Sequence, residues 1–533
     1  MRENKVLLGT DVAAIIIVFV FWLFVYSIAS VGGNILFGDE GYHAEMSKWI
    51  SENKILPKWT PLFYETEYSK MGYLRPPLHH TLFAGLNIFG WNESLLKILL
   101  PIFSLITAFT IYLLVRNLVS GLAGILSMLI FLLLPTVITH SVLAYSDSLF
   151  IMILTIALYA FYKHVKTGRT AFLIFSGIFS GLAIITKISG IIMPLFFIVY
   201  FALDGLKKEG LKKAGILFIC MILIASPWLV RNSLLYGSPI CDNYPFLGRF
   251  FNNSGCNVGT TQSSTGLEFA GRTANVGSEN NVLNIGVPAF MEFAYGNFFI
   301  VFLAISGFLA ALFYRKDKGP WIIALFFLVT LTLYQYSTGR SEDVARYVLP
   351  VAIPLSILPA FLAYKLEGKE NIAYKVGILF IIAIFVVFLI PQAIWPPGPG
   401  VNMPGKVFVM QGVKTFSPDF EKSNDWIRQN TPIDSTILSL WTAHTVYLSG
   451  RKAIWSMPEL NDILLSGKDD TVLPILKKHG IDYILVAKFS IQLQDYSQAY
   501  PIKFVVYLEG SKNFTKVFEN DGTIIYKINS EGV

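Results

Sequence analysis

The stretch VAAIIIVFVFWLFVYSIASVGGNILFGDEGY, residues 12–42, decides the fold of this chain. Its first part, residues 12–36, is an apolar run that is long enough to cross a hydrocarbon core of about 30 Å, which takes about 20 helical residues. Two carboxylates, Asp39 and Glu40, follow after only Phe37 and Gly38. Ionised groups are costly at the edge of a bilayer, so an acidic pair at this position predicts a role beyond solubility.

The composition predicts a polytopic α-helical membrane protein. Hydrophobic residues make up 54% of the chain and charged residues 14%, whereas soluble domains carry about 25% charge. Further apolar runs predict about eleven transmembrane helices, which begin near residues 11, 95, 120, 147, 171, 188, 214, 288, 320, 347 and 374. The first run lacks a small-residue cleavage site and is predicted to be a retained helix.

The distribution of basic residues predicts the orientation of these helices. With a cytoplasmic N-terminus, every predicted inner loop carries Lys or Arg, as in the loop that holds Lys207, Lys208, Lys212 and Lys213. The net charge of +7 is therefore attributed to topology, and no nucleic-acid partner is predicted. The protein is expected in the cell membrane, with its C-terminus on the extracytoplasmic side.

The orientation assigns three long polar segments to the outside. Residues 37–94 form the first outer loop of a transmembrane domain, residues 1–395, and residues 232–287 form the second. Cys241 and Cys256 share the second loop, where a disulfide is permitted but not required. A Pro- and Gly-rich linker, residues 396–400, leads into a soluble extracytoplasmic α/β domain, residues 401–533.

Periodicity within the C-terminal domain predicts alternating helices and strands. Helical spacing predicts helices over 419–430 and 471–479. Runs rich in β-formers predict strands near 436–440, 482–486, 502–508 and 523–527.

Polar residues near the ends of the apolar runs collect on the outer side. They are Asp39, Glu40, Arg75, Asp147, Lys187, Arg231, Arg340 and Arg346. Outer loops are normally poor in Lys and Arg, so these cations indicate a site for an anion, and converging Arg side chains suit a phosphate at the headgroup level. Acidic groups beside such a site can act as a general base toward an acceptor hydroxyl.

The order of these motifs resembles the GT-C membrane glycosyltransferases, in particular the protein O-mannosyltransferase and aminoarabinose (ArnT-like) transferase group. The matching motifs are Asp39-Glu40, Arg75-Pro76-Pro77-Leu78, Asp147, Thr186-Lys187 followed by Pro194, Pro227-Trp228 with Arg231-Asn232 and Tyr236-Gly237-Ser238-Pro239, and Arg346-Tyr347-Val348-Leu349-Pro350. The resemblance covers roughly residues 10–395, and the soluble C-terminal domain also occurs in that group. The Trp-Trp-Asp-Tyr-Gly motif of the oligosaccharyltransferase branch is absent.

The resemblance implies a GT-C fold, a polyprenyl- or dolichyl-phosphate sugar donor and inverting transfer at the outer face. By matching motif, Asp39 is the catalytic base or its partner, with Glu40 and Asp147 as further acidic groups. The implied donor-phosphate ligands are Arg75, Lys187, Arg231 and Arg346, and the implied pocket residues are Tyr42, His79 and Tyr347. The acceptor is a protein, a lipid or a glycan, and membrane lipids are the other expected partners.

Simpler readings of these residues stay open. Asp39 and Asp147 also suit helix N-caps, and Arg231 and Arg346 also suit cations that extend to lipid headgroups. His79, His80 and His140 are too scattered in sequence to predict a metal site, so a divalent metal has no support from the residues. The competing functions are a lipid or solute transporter, which would place ionisable groups near the bilayer midplane, and a non-catalytic relative with a binding domain.

Overall fold

The computed structural model describes most of the helical part of the chain and most of residues 418–529. The described residues are 9, 11–23, 40–58, 73, 75–88, 90–205, 208–240, 298–313, 317–337, 349–363, 418–455, 459–488, 491–492 and 500–529. Asp39, Arg340, Arg346, Tyr347, Cys241 and Cys256 lie outside them, so the roles predicted for these residues stay predictions.

The described part of the membrane half is helical. Its helices are α1 (Asp11–Leu23), α2 (Glu40–Asn53), α3 (Leu78–Leu86), α4 (Glu93–Leu118), α5 (Gly121–Leu133), α6 (Pro135–Val142), α7 (Ser146–Thr167), α8 (Thr170–Ile184), α9 (Ile192–Leu203), α10 (Lys208–Tyr236), α11 (Phe298–Phe313), α12 (Lys318–Ser337) and α13 (Ala352–Ile357). Short 3₁₀ turns precede α9 at Ile188–Ile191 and flank α13 at Leu349–Val351 and Leu358–Ala363.

Each apolar run predicted from the sequence has a described helix, except the run near residue 374, which lies outside the described residues. The run predicted from residue 288 is described from Phe298. By length and composition, three of the described helices can cross a membrane, over Ile98–Leu118, Ser146–Thr167 and Lys208–Tyr236. The total number of spans and their orientation stay predictions.

The helices α4, α7, α8 and α10 pack side by side around the core. Two small residues on α8 bring it close to α10, since a Cβ atom at Gly177 would lie 2.6 Å from the Leu217 carbonyl oxygen, and one at Gly181 would lie 2.6 Å from the Met221 carbonyl oxygen. Glycines four residues apart lie on one face of a helix, where they let two helix backbones approach closely. In a membrane, such close packing stabilises helix association through dispersion, because lipid supplies no hydrophobic driving force between helices.

Residues 418–529 form an α/β unit. Its elements are α14 (Pro418–Asn430), β1 (Thr436–Ser439), α15 (Thr442–Ser449), β2 (Lys452–Ile454), α16 (Leu460–Ser466), α17 (Asp469–Lys478), β3 (Tyr483–Ala487), β4 (Ile491–Gln492), β5 (Tyr500–Pro501), α18 (Ile502–Gly510), β6 (Phe514–Glu519) and β7 (Thr523–Ile528). The main sheet has the order β2-β1-β3-β7-β6, in which β1 pairs in parallel with β2 and β3, and β7 pairs antiparallel with β3 and β6. The helices predicted over 419–430 and 471–479 and the strands predicted near 436, 482 and 523 coincide with observed elements.

The strand predicted over 502–508 is wrong, because these residues form α18. Phe504, Val505 and Leu508 are buried, while Val506 is 62% exposed. Burial at positions i, i+1 and i+4 follows the period of a helix and not that of a strand. The buried β-forming side chains of this run therefore lie on one face of a helix. Packing with the rest of the unit outweighs the preference of these residues for a strand.

The α/β unit contacts the membrane half through α15, which packs on α2. A Cβ atom at Gly41 would lie 2.8 Å from the imidazole ring of His444, so the second residue of α2 is in direct contact with the unit. The indole N–H of Trp91 donates to the Tyr447 hydroxyl at 2.9 Å, and this hydroxyl donates to Glu93 at 3.1 Å. The unit therefore packs on α2, the helix that begins at Glu40.

Candidate active site

The first carboxylate of the site is at the start of α2. Glu40 is buried, and its Oε1 accepts a hydrogen bond of 2.6 Å from the backbone amide of Ala144. Ala144 lies two residues before α7 begins, and it is 104 residues away from Glu40 in the sequence. The bond fixes the beginning of α2 against the loop that leads into α7, immediately after Asp39 in the sequence.

The arginine of the Arg75-Pro76-Pro77 turn lies beside α2. The prolines end just before α3, and the amide of Leu78 donates to the Ile185 carbonyl at 2.9 Å, which ties the turn to the end of α8. The Arg75 guanidinium carbon is 4.3 Å from the centre of the Tyr42 ring, a distance typical of a cation–π contact. Its Nη1 is 3.4 Å from Nε2 of His43.

A buried ion pair joins the start of α7 to the break after α8. Lys187 Nζ donates to Asp147 Oδ1 at 2.5 Å, and the side chains are 11% and 1% exposed. Asp147 lies in the first turn of α7, where the helix dipole favours a negative charge. Lys187, predicted to bind phosphate, and Asp147, predicted to be an acidic site residue, therefore form one ion pair. The ammonium neutralises the carboxylate.

Arg231, on α10, packs among aromatic rings and carbonyl groups. Its Nη2 donates to the Pro57 carbonyl at 2.6 Å, and its Nη1 donates to Asn232 Oδ1 at 3.1 Å and reaches the Tyr73 carbonyl at 3.5 Å. Its guanidinium carbon lies 4.9 Å from the ring centre of Trp228. These contacts join α10 to the segment between α2 and α3, and they use several of the donors that a phosphate would need.

Three buried histidines lie between α2 and α3. One nitrogen from each of His43, His79 and His80 lies within 4.8 Å of the others. Nδ1 of His43 is 2.8 Å from Nε2 of His80, and Nδ1 of His80 is 2.6 Å from the Tyr73 hydroxyl. The expectation that the histidines are scattered is therefore wrong for His79 and His80, which the fold gathers with His43.

The electrostatic surroundings favour neutral side chains in this cluster. Burial, followed by the neighbouring His79 and Arg75, lowers the pKa of His80 well below its ordinary value. Burial raises the pKa of the Tyr73 hydroxyl well above its ordinary value. Both groups are therefore uncharged near neutral pH, as the cost of burying a charge requires.

Neutral imidazoles are also zinc ligands, so the fit to a metal can be tested. Two nitrogens on one tetrahedral zinc, each about 2.0–2.1 Å from it, lie about 3.3 Å apart. The 2.8 Å between His43 and His80 is shorter and is that of a hydrogen bond. The cationic Arg75 on the other nitrogen of His43 also opposes a metal ion.

The structure thus brings most of the described candidates together. Glu40 bonds to the loop three residues before Asp147, Arg75 lies on Tyr42 and His43, and the Arg75 turn is tied to the chain two residues before Lys187. Arg231 reaches the same region through Tyr73. Sequence reasoning missed His43 and Tyr73, and it considered His80 without giving it a role. The available signals were the tandem His79-His80 after the prolines and the position of His43 one helical turn after Glu40.

Comparisons with known proteins match the part of the chain that contains most of these residues. The family model described as dolichyl-phosphate-mannose-protein mannosyltransferase matches residues 75–230, from the Arg75 turn to α10. A dolichyl-diphosphooligosaccharide–protein glycosyltransferase subunit from Schizosaccharomyces pombe is 24% identical over 145 residues, which are 24% of this chain and 19% of that protein. The match thus spans about a fifth of the curated relative.

Solved structures match nearly the whole chain. ArnT from Cupriavidus metallidurans, bound to undecaprenyl phosphate, is similar with a TM-score of 0.62 and 14% identity over 97% of this chain and 98% of ArnT. The archaeal oligosaccharyltransferase AglB from Archaeoglobus fulgidus, in complex with an inhibitory peptide and a dolichol-phosphate, is similar with a TM-score of 0.59 and 13% identity over 97% of this chain and 74% of AglB. The predicted resemblance is confirmed, and the chain has the GT-C fold of membrane glycosyltransferases.

Proposed function

We propose that this GT-C chain transfers a sugar from a polyprenyl-phosphate donor to an acceptor at the outer face of the membrane. The observation that carries the proposal is that two buried carboxylates and a guanidinium lie at connected helix ends. Glu40 bonds to the amide of Ala144, three residues before Asp147, and Arg75 contacts the next turn of the helix that Glu40 begins. The family match over residues 75–230 supports a glycosyltransferase. The lipid phosphates named with ArnT and AglB support the class of donor.

The reaction proposed is a single displacement at the anomeric carbon of the sugar. The acceptor oxygen forms a bond to this carbon while the bond to the donor phosphate oxygen breaks, and the electron pair leaves with the polyprenyl phosphate. A carboxylate receives the acceptor proton. Direct attack from the opposite side inverts the anomeric configuration, and cations stabilise the charge that develops on the leaving phosphate.

Asp39 is the proposed base, and Glu40 is proposed to act through position. The Glu40 carboxylate accepts the Ala144 amide and so holds the start of α2. Adjacent residues point about 100° apart on a helix and to opposite faces on a strand, so Asp39 and Glu40 are not expected to reach the same acceptor oxygen. This division assigns proton transfer to Asp39 and alignment to Glu40.

Arg75 is the proposed principal ligand of the donor phosphate. A guanidinium can grip two phosphate oxygens at once. Lys187 already neutralises Asp147, and Arg231 donates to carbonyl groups, so both are proposed to shape the site around Arg75. Arg346 and Tyr347 are proposed as further donor contacts on the sequence motif alone.

The acceptor is proposed to be a hydroxyl group of a protein, lipid or glycan, or a lipid phosphate. The N-terminus is proposed to be cytoplasmic and residues 401–533 extracytoplasmic, as the basic loops predict. Mass spectrometry of lipids and glycans from a strain that lacks the gene identifies the acceptor and the sugar by the product that disappears.

The variant Asp39→Asn tests the proposed mechanism in the purified full chain. Loss of a general base is expected to reduce transfer by about 10²–10⁴-fold, whereas the affinity for undecaprenyl phosphate should change little. Dolichyl-phosphate mannose and undecaprenyl-phosphate sugars serve as donors, with membrane lipid and glycan extracts as acceptors. The matched control is Asp204→Asn, which changes a 41% exposed carboxylate paired with Lys318.

Two results decide the test. Full transfer activity of Asp39→Asn would contradict the assignment of Asp39 as the base. A wild-type protein that binds the lipid phosphate but transfers no sugar from these donors would contradict the enzymatic proposal and favour a non-catalytic relative.

A further inference from the structure

A continuous line of polar contacts connects Arg75 to the buried Tyr73. Arg75 Nη1 is 3.4 Å from His43 Nε2, His43 Nδ1 is 2.8 Å from His80 Nε2, and His80 Nδ1 is 2.6 Å from the Tyr73 hydroxyl. The four residues come from three places in the chain, namely α2, the first turn of α3 and the segment before α3. Each of the two imidazole rings makes polar contacts through both of its nitrogens.

The direction of this line follows from the chemistry of arginine. A guanidinium can only donate, so Nε2 of His43 accepts and the proton of a neutral His43 is on Nδ1. That proton is donated to Nε2 of His80, which leaves the proton of His80 on Nδ1, where it is donated to the Tyr73 hydroxyl oxygen. The opposite direction would place an N–H group of His43 against an N–H group of Arg75.

The far end of the line is held firmly. Tyr73 is fully buried, its amide donates to the Lys58 carbonyl at 3.1 Å, and its carbonyl is reached by Arg231 at 3.5 Å. Its ring is 5.8 Å from the ring of Trp228 in an edge contact. A hydroxyl fixed in this way can fix the imidazole that donates to it.

We propose that His43 and His80 are positioning residues that orient Arg75 toward an anionic oxygen, through a one-directional hydrogen-bond line anchored on Tyr73. The inference rests on the proposed function, in which that oxygen belongs to the donor phosphate. His43 and the ring of Tyr42 restrict the guanidinium from two sides. Both contacts are with rings that carry no negative charge.

The contrast with Lys187 supports this assignment. The ammonium of Lys187 is held by the carboxylate of Asp147, which cancels most of its field at a distance. His43 accepts from Arg75 through a ring without negative charge, so it orders the guanidinium without adding a counterion. The histidine pair thus meets the requirement of preorganisation, in which the side chain is ordered before the ligand arrives.

The test is a double-variant cycle between His43 and Arg75 in the purified full chain. The measured quantity is the Kd for undecaprenyl phosphate. His43→Phe is expected to weaken binding about tenfold, because an arginine that is not held must lose its rotamer freedom on binding. His43→Gln, whose amide oxygen can accept from Arg75, should restore most of the affinity, and His43→Phe should have no further effect in an Arg75→Ala background.

Two additional measurements keep the cycle interpretable. Thermal unfolding without lipid should show a loss of stability in the double variant that is smaller than the sum of the losses in His43→Phe and Arg75→Ala alone. This difference reports the contact even if the proposed function fails. The control is His164→Phe, a buried histidine near the other end of α7, about 27 Å along the helix from Ser146. This variant should leave the Kd unchanged.

Three outcomes would overturn the proposal. The first is an unchanged Kd in His43→Phe. The second is an equal loss from His43→Phe with and without Arg75. The third is one equivalent of zinc in the purified protein, absent from His43→Phe, together with loss of lipid binding on chelation, since the histidines would then be metal ligands.

Discussion

The variant Lys187→Met is expected to destabilise the protein through the carboxylate that it leaves behind. Lys187 Nζ is 2.5 Å from Asp147 Oδ1, and the Asp147 side chain is only 1% exposed. Methionine fills similar space but carries no charge. Asp147 must then remain ionised without the Lys187 ammonium or take up a proton, and both alternatives cost free energy in a buried site.

The geometry gives the size of the effect. At an effective dielectric constant of 20, two unit charges 2.5 Å apart attract by 332/(20 × 2.5), or about 7 kcal/mol. Part of this attraction is offset by the cost of removing both ions from water, so the loss on breaking the pair is expected to be about 3–5 kcal/mol. The double variant Asp147→Asn with Lys187→Met removes both charges and is expected to recover most of that loss.

The assay is thermal unfolding of the purified protein in detergent, together with the KM for a polyprenyl-phosphate sugar. Lys318→Met is the matched control, since Lys318 and Asp204 form an ion pair of 2.9 Å whose side chains are 56% and 41% exposed, and an exposed pair contributes about 0–1 kcal/mol. Equal unfolding midpoints for the single and double variants would refute the reasoning. A KM that stays raised in a fully stable double variant would assign the Asp147–Lys187 pair a role in donor binding.

Three further changes probe other contacts. Gly41→Ala places a methyl group 2.8 Å from the His444 ring, so it should lower the unfolding midpoint through overpacking of about 1–3 kcal/mol at the contact between α2 and α15. Glu40→Leu leaves a buried backbone amide without its acceptor and should cost about 1–3 kcal/mol, whereas Glu40→Gln keeps an acceptor and should cost less, as thermal unfolding can measure. Tyr507→Phe removes the hydrogen bond that contributes most to lowering the pKa of Asp469, so it should cost about 1 kcal/mol at pH 7 and weaken the acid dependence of unfolding.

The sign of the last effect follows from linkage. Hydrogen bonds from Tyr507, Ser511 and Asn513 lower the pKa of Asp469 in the folded state below its ordinary value of 3.8. The resulting stability is present above pH 3.8 and is lost as the pH falls through the lowered value. Unfolding midpoints between pH 7 and pH 3 check this, and an unchanged acid dependence in Tyr507→Phe would contradict it.

The Gly41 and Glu40 variants each have a matched control. Gly85→Ala is in α3, and its Cβ atom would have no neighbour within 4 Å, so this substitution should leave stability unchanged or raise it slightly. A Gly41→Ala variant as stable as Gly85→Ala would contradict the proposed contact with His444. If Glu40→Gln and Glu40→Leu unfold at the same temperature, the bond to the Ala144 amide does not stabilise the fold.

Much of the helical framework was predictable, because hydrocarbon thickness and hydropathy act on each run separately. The apolar runs near residues 95, 147 and 214 become α4, α7 and α10 for this reason. The run over 502–508 was not predictable in the same way, because its β-forming residues become helical through packing with the rest of the α/β unit.

The sequence by itself determined which polar residues stand at the ends of the helices, since each position follows from the length of one apolar run. Only the tertiary structure decided their partners. Glu40 bonds to an amide 104 residues away, and Lys187 lies on an acid 40 residues away. His43 meets His80 across 37 residues. Such pairs form where packed helices bring distant helix ends together. The apolar pattern of one run does not specify which other helix end will pack beside it.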